Sequence, residues 1–182
     1  MSEVCNNVAV EPHPQPLSGE VLSSRPASTD GDVRLDIAVS GFWGGRFERT
    51  FFDVRVFNPH APSNQNSQIS TTYRRHEREK RMKYEQRIIE VEHASFVPFV
   101  LSCTGGAGPS ATVTLKRLGA MIAEKFESPY SSVIALLRCQ LSFALLKASV
   151  MCLRGARSSL HHPGRMDLSA IDLATAEGKT KS

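Results

Sequence analysis

Apolar residues gather in three short runs along the first part of the chain and in two longer ones after it, and their spacing separates strands from helices. Val33 to Val39 and Thr50 to Phe57 are rich in β-branched and aromatic residues, the content of strands. Gly44 and Gly45 lie between them and Asn58-Pro59 follows the second, so the two are expected to form a hairpin. Residues 58 to 70 are Pro-, Asn-, Ser- and Gln-rich and predict a loop. From Thr71 to Glu92 there is neither Gly nor Pro, which predicts one long helix. Phe96 to Cys103 reads as a further strand with Pro98 near an end or edge, and Thr104 to Gly108 as the turn leaving it. Ser110 to Phe126 reads as an amphipathic helix, and Ser128 to Arg154 as a helix apolar enough to be mostly buried. Pro12, Pro14, Pro16 and Pro26 make residues 1–30 an extended lead-in. The Ser-, His- and Gly-rich composition near the end makes 158–182 a flexible tail. One α/β domain over 31–157 remains, with a small mixed sheet, a hairpin, a long basic helix, a further strand and two C-terminal helices.

A chain of 182 residues with 41% hydrophobic and 22% charged residues has the composition of one globular core rather than of a disordered or fibrous protein. The net charge of +4 and pI near 9.0 tilt the expected partner toward a polyanion, and the placement of the charge sharpens this. Segment 71–87 holds seven cations (Arg74, Arg75, Arg78, Lys80, Arg81, Lys83, Arg87) against three acids (Glu77, Glu79, Glu85). Such a face suits DNA, or RNA, through release of counterions. The bland alternative is a solvated helix laced by pairs such as Glu79–Lys83 and Glu77–Arg81. Cys5, Cys103, Cys139 and Cys152 have no C-x-x-C spacing, so neither a zinc ribbon nor a disulfide framework is expected, and a reducing compartment fits. The start of the chain lacks the pattern of a signal peptide. The apolar stretch Val133 to Leu146 is broken by Arg138 and Gln140 and reads as too short and too charged to span a bilayer. The expectation is a soluble intracellular protein, nuclear or cytoplasmic, with no membrane partner.

The chemistry-bearing pattern is Arg34-Leu35-Asp36, then sixteen residues, then Asp53-Val54-Arg55. Alternate strand residues share a face, so two aspartates on the two arms of a hairpin can point at one spot. Mg²⁺ takes oxygen ligands and needs one or two carboxylates besides water and a substrate phosphate. Asp53 stands in a run otherwise built for burial, where an ionised carboxylate is costly unless it is paired or binds a cation. Arg55 on the same face offers an ion pair as the alternative to a metal, and the strand alone does not choose between them. Lys80 and Tyr84 share a face of the following helix, from which a lysine can orient water or neutralise developing charge.

The order Arg-x-Asp (34–36), Phe-Phe-Asp-Val-Arg-Val (51–56), Lys-x-x-x-Tyr (80–84), the 96–108 strand and turn, and Leu-Lys-Arg-Leu-Gly (115–119) resembles the restriction-endonuclease-like, PD-(D/E)XK, domain of non-LTR retrotransposons. Phe51 to Pro62, Tyr73 to Lys80, Glu90 to His93 and Leu153 to Ser159 are also similar to the C-terminal region of reverse-transcriptase-like proteins. The resemblance covers roughly residues 3–160. It implies a hydrolase of DNA with Asp36 and Asp53 as metal ligands and catalytic residues, Lys80 as the catalytic lysine with Lys83 as its alternative, and Mg²⁺ as cofactor. It places Arg74, Arg75, Arg78, Arg81, Lys83 and Tyr84 toward nucleic acid, and a reverse-transcriptase domain outside this chain as partner. For the further Glu that an upstream helix often supplies in the family, Glu20 is the candidate. Leu35 stands where the family has proline, and Arg55 where the wider superfamily has lysine, so Lys80 acts as a migrated substitute.

The remaining polar residues carry plainer expectations. His76 and His93 are helix-surface or capping residues, and His161-His162 belong to the tail. Gly105 to Gly108 is a strand-to-helix turn, because the Lys-Ser/Thr of a phosphate loop is missing. Trp43 packs over the hairpin. Three functions follow: an Mg²⁺-dependent nuclease that nicks DNA to prime reverse transcription, a non-catalytic relic that binds nucleic acid through the 71–87 helix, or a structural module whose apolar last helix packs on a polymerase domain.

Overall fold

The computed structural model describes residues 1–19, 22, 27–29, 33–45 and 47–154, the last two as backbone only. The expected tail over 158–182 with His161-His162, and the candidate Glu20, lie outside the described residues. Seven elements follow one another: β1 (Asn6–Val10), β2 (Ile37–Ser40), β3 (Arg49–Phe57), α1 (Ile69–Glu92), β4 (Ser95–Ser102), α2 (Pro109–Lys125) and α3 (Tyr130–Arg154). The fold is mixed α/β, a four-stranded sheet in the order β1-β2-β3-β4 with three helices. β1, β2 and β3 pair antiparallel, and β3 and β4 pair parallel with α1 as the crossover between them. A parallel neighbour needs such a crossover, because a tight turn returns the chain antiparallel.

The β2–β3 hairpin, α1, β4 and α2 fall where the periodicity predicts them, within a few residues. β1 does not. It lies inside the proline-rich lead-in, pairs with β2 through Ala9↔Ala38 and Val10↔Ile37, and breaks register between Asn6 and Ala9. Its Asn7 has φ 48°, a left-handed conformation that asparagine tolerates better than most residues. This is an edge strand of mostly exposed residues, so it lacks the apolar alternation that would reveal it.

Alternate residues of the central strands divide the core into two layers. Leu35, Ala38, Phe51 and Phe96 lie with Tyr84 and Ile88 of α1. Val39, Phe42, Phe52 and Val97 lie on the other face with Leu118 of α2, where Trp43 meets the Phe42 ring edge-on at 5.0 Å. Neighbouring residues on one strand therefore serve opposite helices, as a period of two requires. At the exit of β4, Gly105 has φ +93° and a Cβ on Gly106 would stand 2.2 Å from the Tyr73 hydroxyl, so the double glycine forms a turn.

α3 departs from expectation. Its inner residues Val133 and Leu145 are buried, but Leu136, Phe143, Leu146, Val150 and Met151 are exposed, so the helix is not mostly buried. It is also longer than the apolar stretch read from the sequence: Tyr130–Cys152 is long and apolar enough, by length and composition, to cross a membrane.

Phe51 is fully buried between β2, β4 and α1. Phe51→Ala is expected to cost about 3–5 kcal/mol of folding stability, measured by urea denaturation, whereas Val113→Ala on the exposed side of α2 should change it by less than about 0.5 kcal/mol.

Candidate active site

β3 and α1 run in opposite directions, and their contacts step past each other in order. Phe57 meets the Tyr73 ring at 5.0 Å and the His76 ring at 4.7 Å. Arg55 Nη1 lies 2.6 Å from Glu79 Oε2, Asp53 Oδ2 forms an ion pair with Lys80 Nζ, and Phe51 packs with Tyr84 and Ile88. Backbone geometry explains why Lys80 reaches Asp53 despite the 27-residue step between them. The chain runs outward along β3 to Phe57, turns through Asn58 to Gln68, and comes back along α1. Eleven helical residues from Ile69 to Lys80 rise about 16 Å, close to the roughly 13 Å of strand from Phe57 back to Asp53 once the first turn of α1 is allowed for.

Asp36 stands just before β2, beyond the last paired residues Ile37↔Phe52. The Asp36 amide donates to the Phe52 carbonyl at 3.2 Å, and the Val54 amide donates to Asp36 Oδ2 at 2.5 Å. Asp53 is nearly closed off, with 7% of its side chain exposed. Burial raises its pKa above the ordinary carboxylate value, Lys80 opposes that rise, and the Asp36 charge adds to it. The two aspartates therefore sense each other electrostatically. Asp53 is held by Lys80, while Arg55, the alternative partner, turns to Glu79.

The basic helix is less open than its sequence implies. Arg74 and Arg78 are exposed. Arg75 donates to Asn64 Oδ1 at 2.6 Å, and Arg81 pairs with Glu85 and reaches Ser110 Oγ at 3.3 Å. Lys83 lies 4.8 Å from the Tyr84 ring centroid. Tyr84 itself is buried in the α1 core layer, 6.0 Å from Phe96 ring to ring. Arg87 is also buried, and donates to the carbonyls of Gln15 at 3.0 Å and Ser28 at 3.4 Å. The expected Glu77–Arg81 rung gives way to another use of Glu77, whose Oε1 accepts the Ser110 amide at 2.8 Å. That carboxylate satisfies an N–H at the N-terminus of α2, where negative charge is favoured.

His93 ends α1 in a left-handed conformation, φ 49°, as a capping residue. His76 is buried instead of lying on the helix surface. Its Nδ1 lies 3.4 Å from Glu79 Oε2, and its pKa is lowered, chiefly by burial and then by the Arg55 charge. Sequence reading missed this Arg55–Glu79–His76 group beside Asp53; Arg55 and His76 share the inward face with Asp53 and Phe57, which strand and helix periods could have flagged. Among the described residues no three His, Cys, Asp or Glu side chains converge as a metal cluster. Two aspartates and one lysine suit only a cation that takes few protein ligands and completes its shell with water or phosphate, which is the habit of Mg²⁺.

Because its folded-state pKa is raised, Asp53 binds its proton more tightly in the folded than in the unfolded chain, so stability falls as pH rises from the ordinary carboxylate value of 3.8 through the raised folded value. Asp53→Asn is therefore expected to melt at or above the parent temperature at neutral pH. The difference should shrink toward zero as both forms of the parent protonate in acid. Thermal unfolding across the acid range checks this, and a lower melting temperature for Asp53→Asn at neutral pH would mean that the Lys80 pair outweighs the burial.

Comparison with profiles of known protein families, with curated proteins and with solved structures returned no match.

Proposed function

We propose that the chain is a retrotransposon-derived, Mg²⁺-dependent DNA endonuclease domain of the restriction-endonuclease-like type, which hydrolyses a DNA phosphodiester so that the freed 3′ end primes reverse transcription. The observation that carries this reading is the placement of Asp53: a carboxylate buried on the inward face of a central strand, with Asp36 near enough for its charge to act on it and Lys80 of α1 against it. The mixed sheet of hairpin, crossover helix, parallel strand and two further helices is the layout that the resemblance implies, and it supports the same reading.

In the reaction, water adds to phosphorus, the P–O3′ bond breaks, and the leaving oxygen takes a proton to give a 3′ hydroxyl beside a 5′ phosphate. Mg²⁺ held by Asp36 and Asp53 would polarise the scissile phosphate and lower the pKa of the attacking water. The Val54 amide on Oδ2 orients Asp36 and leaves its other oxygen open to a cation. Lys80 pairs with Asp53 and opposes the rise in its pKa that burial causes. The Lys80 ammonium, held against Asp53, would orient water and offset negative charge developing on a phosphate bound there. Exposed Arg74 and Arg78 on the N-terminal half of α1 supply phosphate contacts.

One observation favours the non-catalytic alternative: Lys80 gives the buried Asp53 carboxylate a counter-charge from within the chain, as a nucleic-acid-binding relic requires. The two readings separate on supercoiled plasmid. The nuclease converts it to nicked circle with Mg²⁺ and not with EDTA, and Asp36→Asn, Asp53→Asn and Lys80→Ala each slow the reaction by about 10²-fold or more. Binding without any nicking that depends on these residues would leave the relic. In either case affinity for DNA should fall steeply with salt, and Arg74→Ala with Arg78→Ala should flatten the plot of log K against log salt by about one unit for each phosphate that is no longer neutralised. An unchanged slope in fluorescence anisotropy would move the DNA-binding face elsewhere.

A further inference from the structure

α3 carries two apolar stripes, and the fold uses one of them. Val133, Leu137, Leu141 and Leu145 recur every four residues and face inward. Leu137 packs in the layer with Leu118 and Val97, and Leu141 and Leu145 pack with Leu101 and Ala111. The second stripe is Leu136, Cys139, Phe143, Leu146 and Val150, spaced alternately by three and four residues. At 100° per residue it lies on roughly the opposite side of the helix. Leu136 is 41% exposed, Phe143 64%, Leu146 60% and Val150 37%, and Cys139 is an exposed free thiol.

This spacing of 3.5 is that of a coiled-coil seam, in which each residue sits between four side chains of a facing helix. The seam is narrow. One border is formed by Ala135, Ser142 and Ser149, seven residues apart in register with it, which let another helix come close. The other border carries Lys147. At 100° per residue Arg138 lies toward the inner stripe, so Lys147 is the charge on the described seam border, and the helix from Tyr130 to Arg154 holds no acidic residue. A second copy would therefore bring another Lys147 to a seam that has no carboxylate to receive it, whereas a partner with an acidic border gains there. We propose that the outer seam of α3 docks an amphipathic helix of a partner protein, whose own apolar heptad seam is bordered by Asp and Glu. The inference stands apart from the chemistry at Asp53 and survives if that site proves inert.

The full chain, kept reduced, is titrated into fluorescein-labelled synthetic helices of about four heptads with Leu at the seam positions, one bordered by Glu and one by Lys. Saturable binding of the acidic helix at least about tenfold tighter than of the basic one is expected. Phe143→Glu and the milder Phe143→Ser should weaken it, and Lys147→Glu should narrow or reverse the preference between the two helices. Val113→Glu, on the exposed side of α2, should leave binding as it was. Circular dichroism and thermal melting establish that each variant is folded. Four results would overturn the proposal: equal binding of both helices, no effect of the Phe143 variants, self-association in sedimentation that Phe143→Glu abolishes, which makes the occupant a second copy, or co-sedimentation with phosphatidylserine vesicles while neither helix binds, which makes it a membrane.

Discussion

A carboxylate buried in the middle of a central strand, on the face that α1 covers, is the constraint around which this molecule is arranged. β3 has Phe51 under α1 and Phe52 under the opposite layer, so Asp53 enters a position where water is scarce and ionisation is costly. The fold answers by bringing Lys80 to it from the helix above. That meeting depends on the register of α1 against β3, which is pinned at one end by Phe57 on Tyr73 and His76 and at the other by Phe51 with Tyr84 and Ile88. A slip of one helical turn would carry Lys80 about 5 Å along the strand and leave Asp53 buried without a counter-charge.

The far half of α1 is fixed by the lead-in segment. Arg87, fully buried, donates to the carbonyls of Gln15 and Ser28, and Glu92 accepts the Gln15 amide at 2.5 Å and lies 3.4 Å from Arg49. The Ser28 amide donates to the Lys83 carbonyl at 2.8 Å. Pro12, Pro14 and Pro16 keep the described stretch around Gln15 poor in helix, which suits a strap against α1. The strap thus commits one of the seven cations of segment 71–87 to structure, and internal pairs occupy Arg75 and Arg81. Exposed Arg74 and Arg78 lie in the N-terminal half of α1.

Much of this was legible in the sequence because strong periodicity survives into structure. The 50–57 strand, the Gly- and Pro-free helix and the 96–103 strand appear nearly as written. The juxtaposition of Asp36, Asp53 and Lys80 could be expected from the hairpin and the helix, but not the choice of Lys80 over Arg55 as partner of Asp53. That choice depends on Glu79 drawing Arg55 away, a tertiary fact. β1 is silent in the sequence because an exposed edge strand has no buried face to write there. Tyr84 and Arg87 differ from expectation for a related reason: aromatic and long cationic side chains read the same whether their bodies are packed or solvated. α3 errs in the opposite direction, since an apolar helix reads as core whether one of its stripes is covered or both are.

The most direct measurement of the central claim is calorimetric titration of the full chain with Mn²⁺, a stand-in for Mg²⁺ with readily detected binding, in the parent protein and in Asp36→Asn and Asp53→Asn. A shared carboxylate site predicts one binding event in the parent that either substitution abolishes. Saturable binding that survives both substitutions, or none in the parent even with a DNA duplex present, would contradict it.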